Sequence, residues 1–181
     1  MIRRIGYLTI FFLLIGMTTI SFYLFEINRQ GIVYGQEKVV YELPYPGVLP
    51  DHPLYLMKVV RDRLMDFFTR DHIKKANLYL LFSDKRANMA IYLIKKGKPQ
   101  LAAETFVKGE KYFFKIPNLL ITSKKQGVPP SSELIDVLKL SNRKHREIIN
   151  QLLKSSSSGQ IRLIEEALEI NQDIKKQIDR L

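Results

Sequence analysis

From Ile5 to Phe25 the chain reads "IGYLTIFFLLIGMTTISFYLF", 21 residues without one charged side chain, closed by Glu26. As a helix such a run rises roughly 30 Å, the thickness of a bilayer's hydrocarbon core. It is apolar on every face and offers no polar stripe to water, so a helix buried in a globular core is the poorer reading. The run predicts a membrane segment. Arg3 and Arg4 precede it, and positive charge is retained on the cytoplasmic side, so everything after Glu26 is expected outside the cytoplasm. The hydrophobic stretch of a cleaved signal usually spans about 7–15 residues and ends at small residues. This run is longer, which favours an uncleaved anchor. Val33-Tyr34-Gly35 loosely fits a cleavage site, and a cut near Gly35 would secrete the body instead. The expected location is the cell membrane, single-pass, with the carboxyl-terminal domain outside.

The division that follows is an anchor or uncleaved signal over residues 1–25, a tether with a proline-rich segment over 26–53, and a helical domain over 54–181. The body has apolar residues enough for one core, and the absence of cysteine excludes disulfides, thiolate metal sites and a cysteine nucleophile. Residues 44–53, "PYPGVLPDHP", hold four prolines and one glycine, which forbid a helix or central strand and favour an extended path. Tyr41, Leu43, Tyr45, Val48, Leu49, Leu54 and Tyr55 make this stretch too apolar to float, so it should lie pinned against the body. Asp51 reads as an N-cap with Pro53 in the first turn.

Beyond it, helical spacing dominates. Leu56, Val60, Leu64 and Phe67, at spacings of four, four and three, define one face of a first helix. A second helix starts at Thr69 or Asp71 and stops at Gly97, with Ile73, Ala76, Leu80, Ala87, Ile91 and Ile94 inward; Leu78, Leu81, Phe82 and Leu93 widen its apolar arc toward a further neighbour. Pro99 opens a third helix, striped by Ala102, Phe106, Gly109 and Phe113, which Pro117 should kink or interrupt. After Gly127, Pro129 and Pro130, a helix from Ser131 or Ser132 carries Ile135, Leu138, His145, Ile149 and Leu152. A short turn at Ser155–Gly159 leads to a last helix from about Gln160, with Leu163, Ala167, Ile170, Ile174, Ile178 and Leu181 on one face. Val39–Leu43 alone has any strand period. The expected fold is all-α: a transmembrane helix, an extended proline segment, then an antiparallel bundle of about four to five helices. Residues 87–113 also place small and aromatic side chains much as a tetratricopeptide hairpin does, but no second copy follows.

Charge is uneven. The chain carries +11, and residues 70–125 hold 13 basic against 4 acidic side chains, the whole excess of the body. Lys74, Lys75, Lys85, Arg86, Lys95, Lys96, Lys98, Lys108, Lys111 and Lys115 form a candidate basic patch. The plainer reading is a solvated helix surface; the functional one is a patch for anionic lipid or acidic wall polymer. Nucleic acid is not expected as a partner of an exported body.

Catalytic signatures are missing. His52, His72 and His145 lie 20 and 73 residues apart, so no local metal-ligand pair exists, and no metal or cofactor is expected. His52 and His72 should be exposed; His145, one turn after Asn142, reads as a polar pair satisfied within the bundle. Asp84, Lys85 and Arg86 read as surface salt bridging, with Asp84 at an interhelical contact as the alternative. Glu165 and Glu166, adjacent on a helix, point to different faces and make no dyad. No catalytic residue is assigned.

Residues 41–68, "YELPYPGVLPDHPLYLMKVVRDRLMDFF", and 71–98, "DHIKKANLYLLFSDKRANMAIYLIKKGK", resemble an uncharacterised bacterial family, a domain of unknown function found in secreted or membrane-anchored cell-envelope proteins. The resemblance rests on Tyr45, Pro46, Gly47, Val48, Leu49, Pro50, Asp51, His52, Pro53, Leu54 and Tyr55, then on Ala76, Asp84, Lys85 and Arg86, and extends through "SNRKHREIINQLL" at 141–153. It implies an all-helical envelope domain in which Tyr45, Pro46, Gly47, Leu49, Pro50, Asp51, Pro53 and Tyr55 are structural, and it implies no activity. The expectation is a structural or interaction module binding an envelope protein or anionic surface. A sensor bundle signalling through the anchor, or a wall enzyme, are the alternatives.

Overall fold

The computed structural model describes residues 40–156 and 158–181. The apolar run Ile5–Phe25, the tether up to Val39 and the site at Gly35 lie outside the described residues. Among the described residues no helix is long and apolar enough to cross a membrane.

The described body is all-α, with no strand among its residues. Six helices follow in order: α1 (Tyr55–Phe68), α2 (His72–Lys95), α3 (Pro99–Phe113), α4 (Ile116–Lys125), α5 (Ser132–Ser155) and α6 (Ser158–Ile178). Five of them, α2 to α6, pack as a bundle, with α2 against α3, α4 and α5, and α6 against α3 and α5. The ends are set by local chemistry. The Asp71 carboxylate accepts from Lys74 N at 2.7 Å and starts α2, and the Ser131 hydroxyl accepts from Leu134 N at 3.2 Å and starts α5. Gly97 ends α2 at φ +70°, where a side chain would be strained. Pro117 falls in the first turn of α4, so the break after Phe113 spares it an interior position.

α2 is the axis of the fold, with 12 of its 24 residues buried. Its expected wide apolar arc is present, except that Leu81 is exposed. The α2–α3 hairpin closes tightly at Gly109, where a Cβ would come within 3.1 Å of Arg86 Cβ and 3.2 Å of Ser83 O. In α6 the buried side is completed by Ile164 and Asn171 beside Ala167, Ile174 and Ile178. The turn before α6 is shorter than expected, because α5 continues to Ser155 and α6 begins at Ser158.

The core has two apolar ends. One gathers Ala87, Ala90, Leu93, Phe106, Ile148, Leu152 and Ile164; the other gathers Ala76, Leu80, Phe113, Leu120, Leu138, Ile174 and Ile178. Between them in every long helix come the polar residues: Asp84 in α2, Glu110 in α3, Ser141, Asn142 and His145 in α5, and Asn171 in α6, all buried. The bundle is thus cut across its middle by a polar layer.

The proline segment is pinned, as expected. Tyr41 Oη donates to Asp84 at 2.6 Å, Asn88 donates to Pro44 O at 3.0 Å, and Lys58 Nζ donates to Pro46 O at 3.0 Å. Two details differ from expectation. Asp51 caps no helix; it receives Lys98 at 2.8 Å and Lys96 at 3.2 Å, which join the segment to the end of α2. These two ammonium groups hold its carboxyl down at about 2. Pro53 lies in the turn before α1, not in its first turn, because residues 49–55 are wound by His52 N to Leu49 O and Tyr55 N to His52 O.

The apolar face of α1 that the spacing defines points outward: Leu56 is 74% exposed, Val60 56%, Leu64 52% and Phe67 68%.

Candidate functional site

Three features concentrate chemistry: the polar layer, helix α1, and the lysine-rich ends of the bundle.

In the layer, His145 is wholly buried between two carboxylates, with Nδ1 2.5 Å from Glu110 Oε1 and Nε2 3.0 Å from Asp84 Oδ1. The Ser141 hydroxyl donates to Asp84 Oδ1 at 2.6 Å, and Tyr41 fills the other oxygen of that carboxylate. Phe106 and Phe113 lie against the imidazole, with ring centroids 5.6 and 5.4 Å away. Burial works to lower the His145 pKa. The Glu110 charge and the hydrogen bonds to Asp84 and Glu110 outweigh it, so the ring is held at about 9 and is an imidazolium at neutral pH. Burial and the Asp84 charge together raise the Tyr41 phenol, which stays a neutral donor.

This arrangement resembles a catalytic triad only in its residue types. Ser141 donates to the carboxylate and not to the imidazole, so no base draws its proton. The two carboxylates hold opposite nitrogens of one ring and cannot converge on a common ion. The layer is sealed by the apolar clusters on either side. What it does is fix register: Asn142 and Asn171 exchange side-chain-to-backbone bonds at 3.1 Å each way, which locks α5 to α6 at the same level. Asn142 therefore pairs with Asn171, where a pair with His145 was expected.

Arg86 leaves the candidate basic patch. It is buried, donates to Phe82 O at 3.0 Å, stacks its guanidinium 4.5 Å from the Tyr112 ring centroid, and faces Asp62 of α1 at 3.9 Å. Asp84 is likewise interior, so the expected surface salt bridging at 84–86 is replaced by an interhelical junction. The other patch residues do not make one field. Lys75 and Lys95 are 20 residues apart on α2, about 30 Å along its axis. At one end, Lys96 and Lys98 are taken by Asp51, and Lys95 lies over the Tyr92 ring. At the other, Lys75 meets Asp66 at 3.0 Å and Lys115 lies over the rings of Tyr79 and Tyr112. Lys111 pairs with Glu166 at 2.8 Å; Lys74 and Lys108 are exposed, and Lys85 is half-buried.

Helix α1 is turned inside out. Its polar stripe faces the body: Asp62 is 3% exposed between Arg61 and Arg86, and Asp66 accepts the Tyr79 hydroxyl at 2.7 Å. Lys58 is half-buried under the proline segment, and burial pulls its pKa down to about 8. Its apolar stripe faces out: Leu56, Met57, Val60, Leu64, Phe67 and Phe68 are all exposed. Scattered exposed apolar residues need no explanation; a contiguous row on one helix does. Beside the end of α1 an open hollow of about 680 Å³ is lined by Phe67, Arg70, His72, Lys75 and Lys115 among others. His72, expected exposed, is half-buried there.

Of the motif residues, Pro46 is buried, Tyr45 is exposed, and Gly47 sits at φ +70°, the turn that lets the segment fold onto α2. Tyr45, Gly47, Leu49 and Asp51 line a smaller hollow with Lys96. Tyr55, the first residue of α1, is half-buried, with Arg86 and Asp62 in its surroundings.

The family model for a domain of unknown function, DUF5667, matches residues 47–181. The chain belongs to this family. The DUF5667 match begins at Gly47, inside the proline segment, and takes in all six helices, the polar layer and the outward face of α1. No curated protein and no solved structure matches the chain.

Proposed function

We propose that this chain is a membrane-anchored helical docking module of the bacterial cell envelope. Its anchor is the run Ile5–Phe25, its body works outside the cytoplasm, and it binds a surface without catalysing a reaction. The observation that carries the reading is the inverted helix α1. A chain that spends its charged residues on tying a helix down, and leaves seven large apolar side chains of that helix in water, presents a binding face. The buried triad supports the same reading from the other side. Asp84, Glu110, Ser141 and His145 are all buried, and the serine is bonded to the carboxylate and not to the imidazole.

Location is tested by fusing a reporter enzyme, active only outside the cytosol, after Leu181. Activity is expected; an inactive fusion in cells that accumulate the chain would remove the envelope reading. Docking is tested by placing a photocrosslinking residue at Met57 or at Gln172 of α6 in the full chain. Crosslinking in native membranes is expected at Met57 and not at Gln172, and equal yields would remove α1 as the working face.

A further inference from the structure

We infer that the surface α1 binds is the lipid bilayer itself: α1 lies in the headgroup region with its apolar arc among the acyl chains, and the basic hollow at its end faces anionic headgroups. This rests on the docking reading above and names its partner.

Four observations converge. At 3.6 residues per turn, Leu56, Phe67, Val60, Leu64, Met57 and Phe68 fall within an arc of about 120°. Arg63 borders the arc on one side and Arg61 on the other, both exposed. An apolar arc bordered by exposed arginines, Arg61 with its head bonded back to Asp62 at 2.7 Å, is the pattern of a helix lying in a membrane surface.

Next, the helix is braced from below. Lys58 on Pro46 O, Asp62 on Arg86, and Asp66 on Tyr79 and Lys75 hold its polar side to the body. The arc is thereby presented in a fixed orientation, without the ordering cost a loose helix would bear.

Charge is complementary. Arg70, Lys75 and Lys115 line the hollow beside Phe67, with Asp66 offsetting one of them. A cationic hollow next to an apolar arc matches the two layers of an anionic leaflet, headgroup and acyl chain, in that order from the body outward.

Finally, reach allows it. Between Phe25 and Val40 lie 14 residues, which span at most about 50 Å when fully extended, so an anchored body stays within that distance of its own membrane and can reach its surface.

The chain has no cysteine, so single labels are unambiguous. The full chain carrying Val60→Cys or, as control, Gln172→Cys is labelled with an environment-sensitive fluorophore and reconstituted into phosphatidylglycerol-rich vesicles with or without brominated acyl chains. The Val60→Cys label is expected to lose about half its emission or more to bromine, and the Gln172→Cys label none. The loss should shrink in phosphatidylcholine vesicles and on adding salt. A Val60→Cys label that stays in water while the chain floats with the vesicles overturns the inference and leaves the anchor standing. Failure to float removes the anchor and the inference together. A label shielded from water yet untouched by bromine means a protein surface covers the arc, a second copy or the chain's own apolar run, and also overturns it. Equal quenching in both lipids at low salt withdraws the role given to the hollow.

Discussion

Helices α1 and α6 carry the same kind of sequence signal and do opposite things with it. Each repeats large apolar residues at three and four positions, and each has charged residues between. In α6 the repeat is buried, with Ala167, Ile174 and Ile178 at the bundle axis and Lys175, Lys176, Asp173 and Asp179 pairing among themselves in water. In α1 the repeat is in water and the charges are buried. The difference lies in what each charge can reach. Asp62 and Asp66 stand opposite Arg86, Tyr79 and Lys75, fixed partners on the body: Tyr79 donates to Asp66 at 2.7 Å, Lys75 meets it at 3.0 Å, and Arg86 faces Asp62 at 3.9 Å. The charges of α6 stay at the surface, and the one that reaches another helix, Glu166 to Lys111, does so between two exposed side chains. Spacing identifies a face; partners across the gap decide which face is the inner one.

The sharpest test of that contrast is to remove interior charge where it is sealed. Asp84→Ala takes the bonds from Ser141, Tyr41 and His145 at once and leaves an imidazolium facing one carboxylate. A loss of about 3–5 kcal/mol in chemical denaturation is expected. A loss below about 1 kcal/mol would mean that the layer contributes little to holding the bundle. Next, Ile174→Ala in α6 should cost about 2–5 kcal/mol, whereas Leu64→Ala in α1 should stay within about 0.5 kcal/mol. Comparable losses would show that the α1 stripe is packed after all.

Asp62→Ala should cost about 1–3 kcal/mol, since it leaves Arg86 buried without its carboxylate, and should loosen α1 more than α6 in amide exchange. The pH dependence is smaller. His145 titrates near 6.5 when unfolded and near 9 in the fold, so its stabilising share is complete below 6.5 and drains away as pH rises through 9. Lys58 acts in the other sense, because its lowered pKa makes the fold gain as pH rises from about 8 toward its ordinary value. The clean window is therefore 6.5 to 8, where a fall on the order of 1 kcal/mol is expected and His145→Gln should flatten it. Last, Val60→Ser should change stability by no more than about 0.5 kcal/mol, in either direction.

Much of this fold is readable from residue order. Asp71, Ser131, Gly97, Pro99 and Pro117 announce where helices begin and end, because capping and ring constraints are local. The pinned proline segment follows from its apolar content, though its partners do not. The polar layer is harder: Asp84, Glu110, Ser141 and His145 are brought together from three helices, and sequence separation of 26 to 61 residues carries no local pattern. One clue was present. Asp84 falls in a helix apolar almost all round, so a carboxylate there has to be matched from a neighbour. The same clue applied to Asp62 and Asp66, set on the side opposite a clean apolar row, would have raised the question of which row is buried. Periodicity is blind to the sign of that choice, since rotating a helix by half a turn leaves its spacing unchanged.

The parallel run of the proline segment along α2 has a mechanical corollary. Its ties climb in step with the helix, Tyr41 to Asp84, Pro44 to Asn88, Asp51 to Lys96. A pull along the helix loads all three together, whereas a pull away from it strains them one at a time, from Tyr41 onward. Tyr41 is also the plug in the central charge cluster. Because Tyr41 is the first of these ties, lifting the segment off the body from that end would release the Asp84 carboxylate before the bonds to Asn88 or Lys96 are reached.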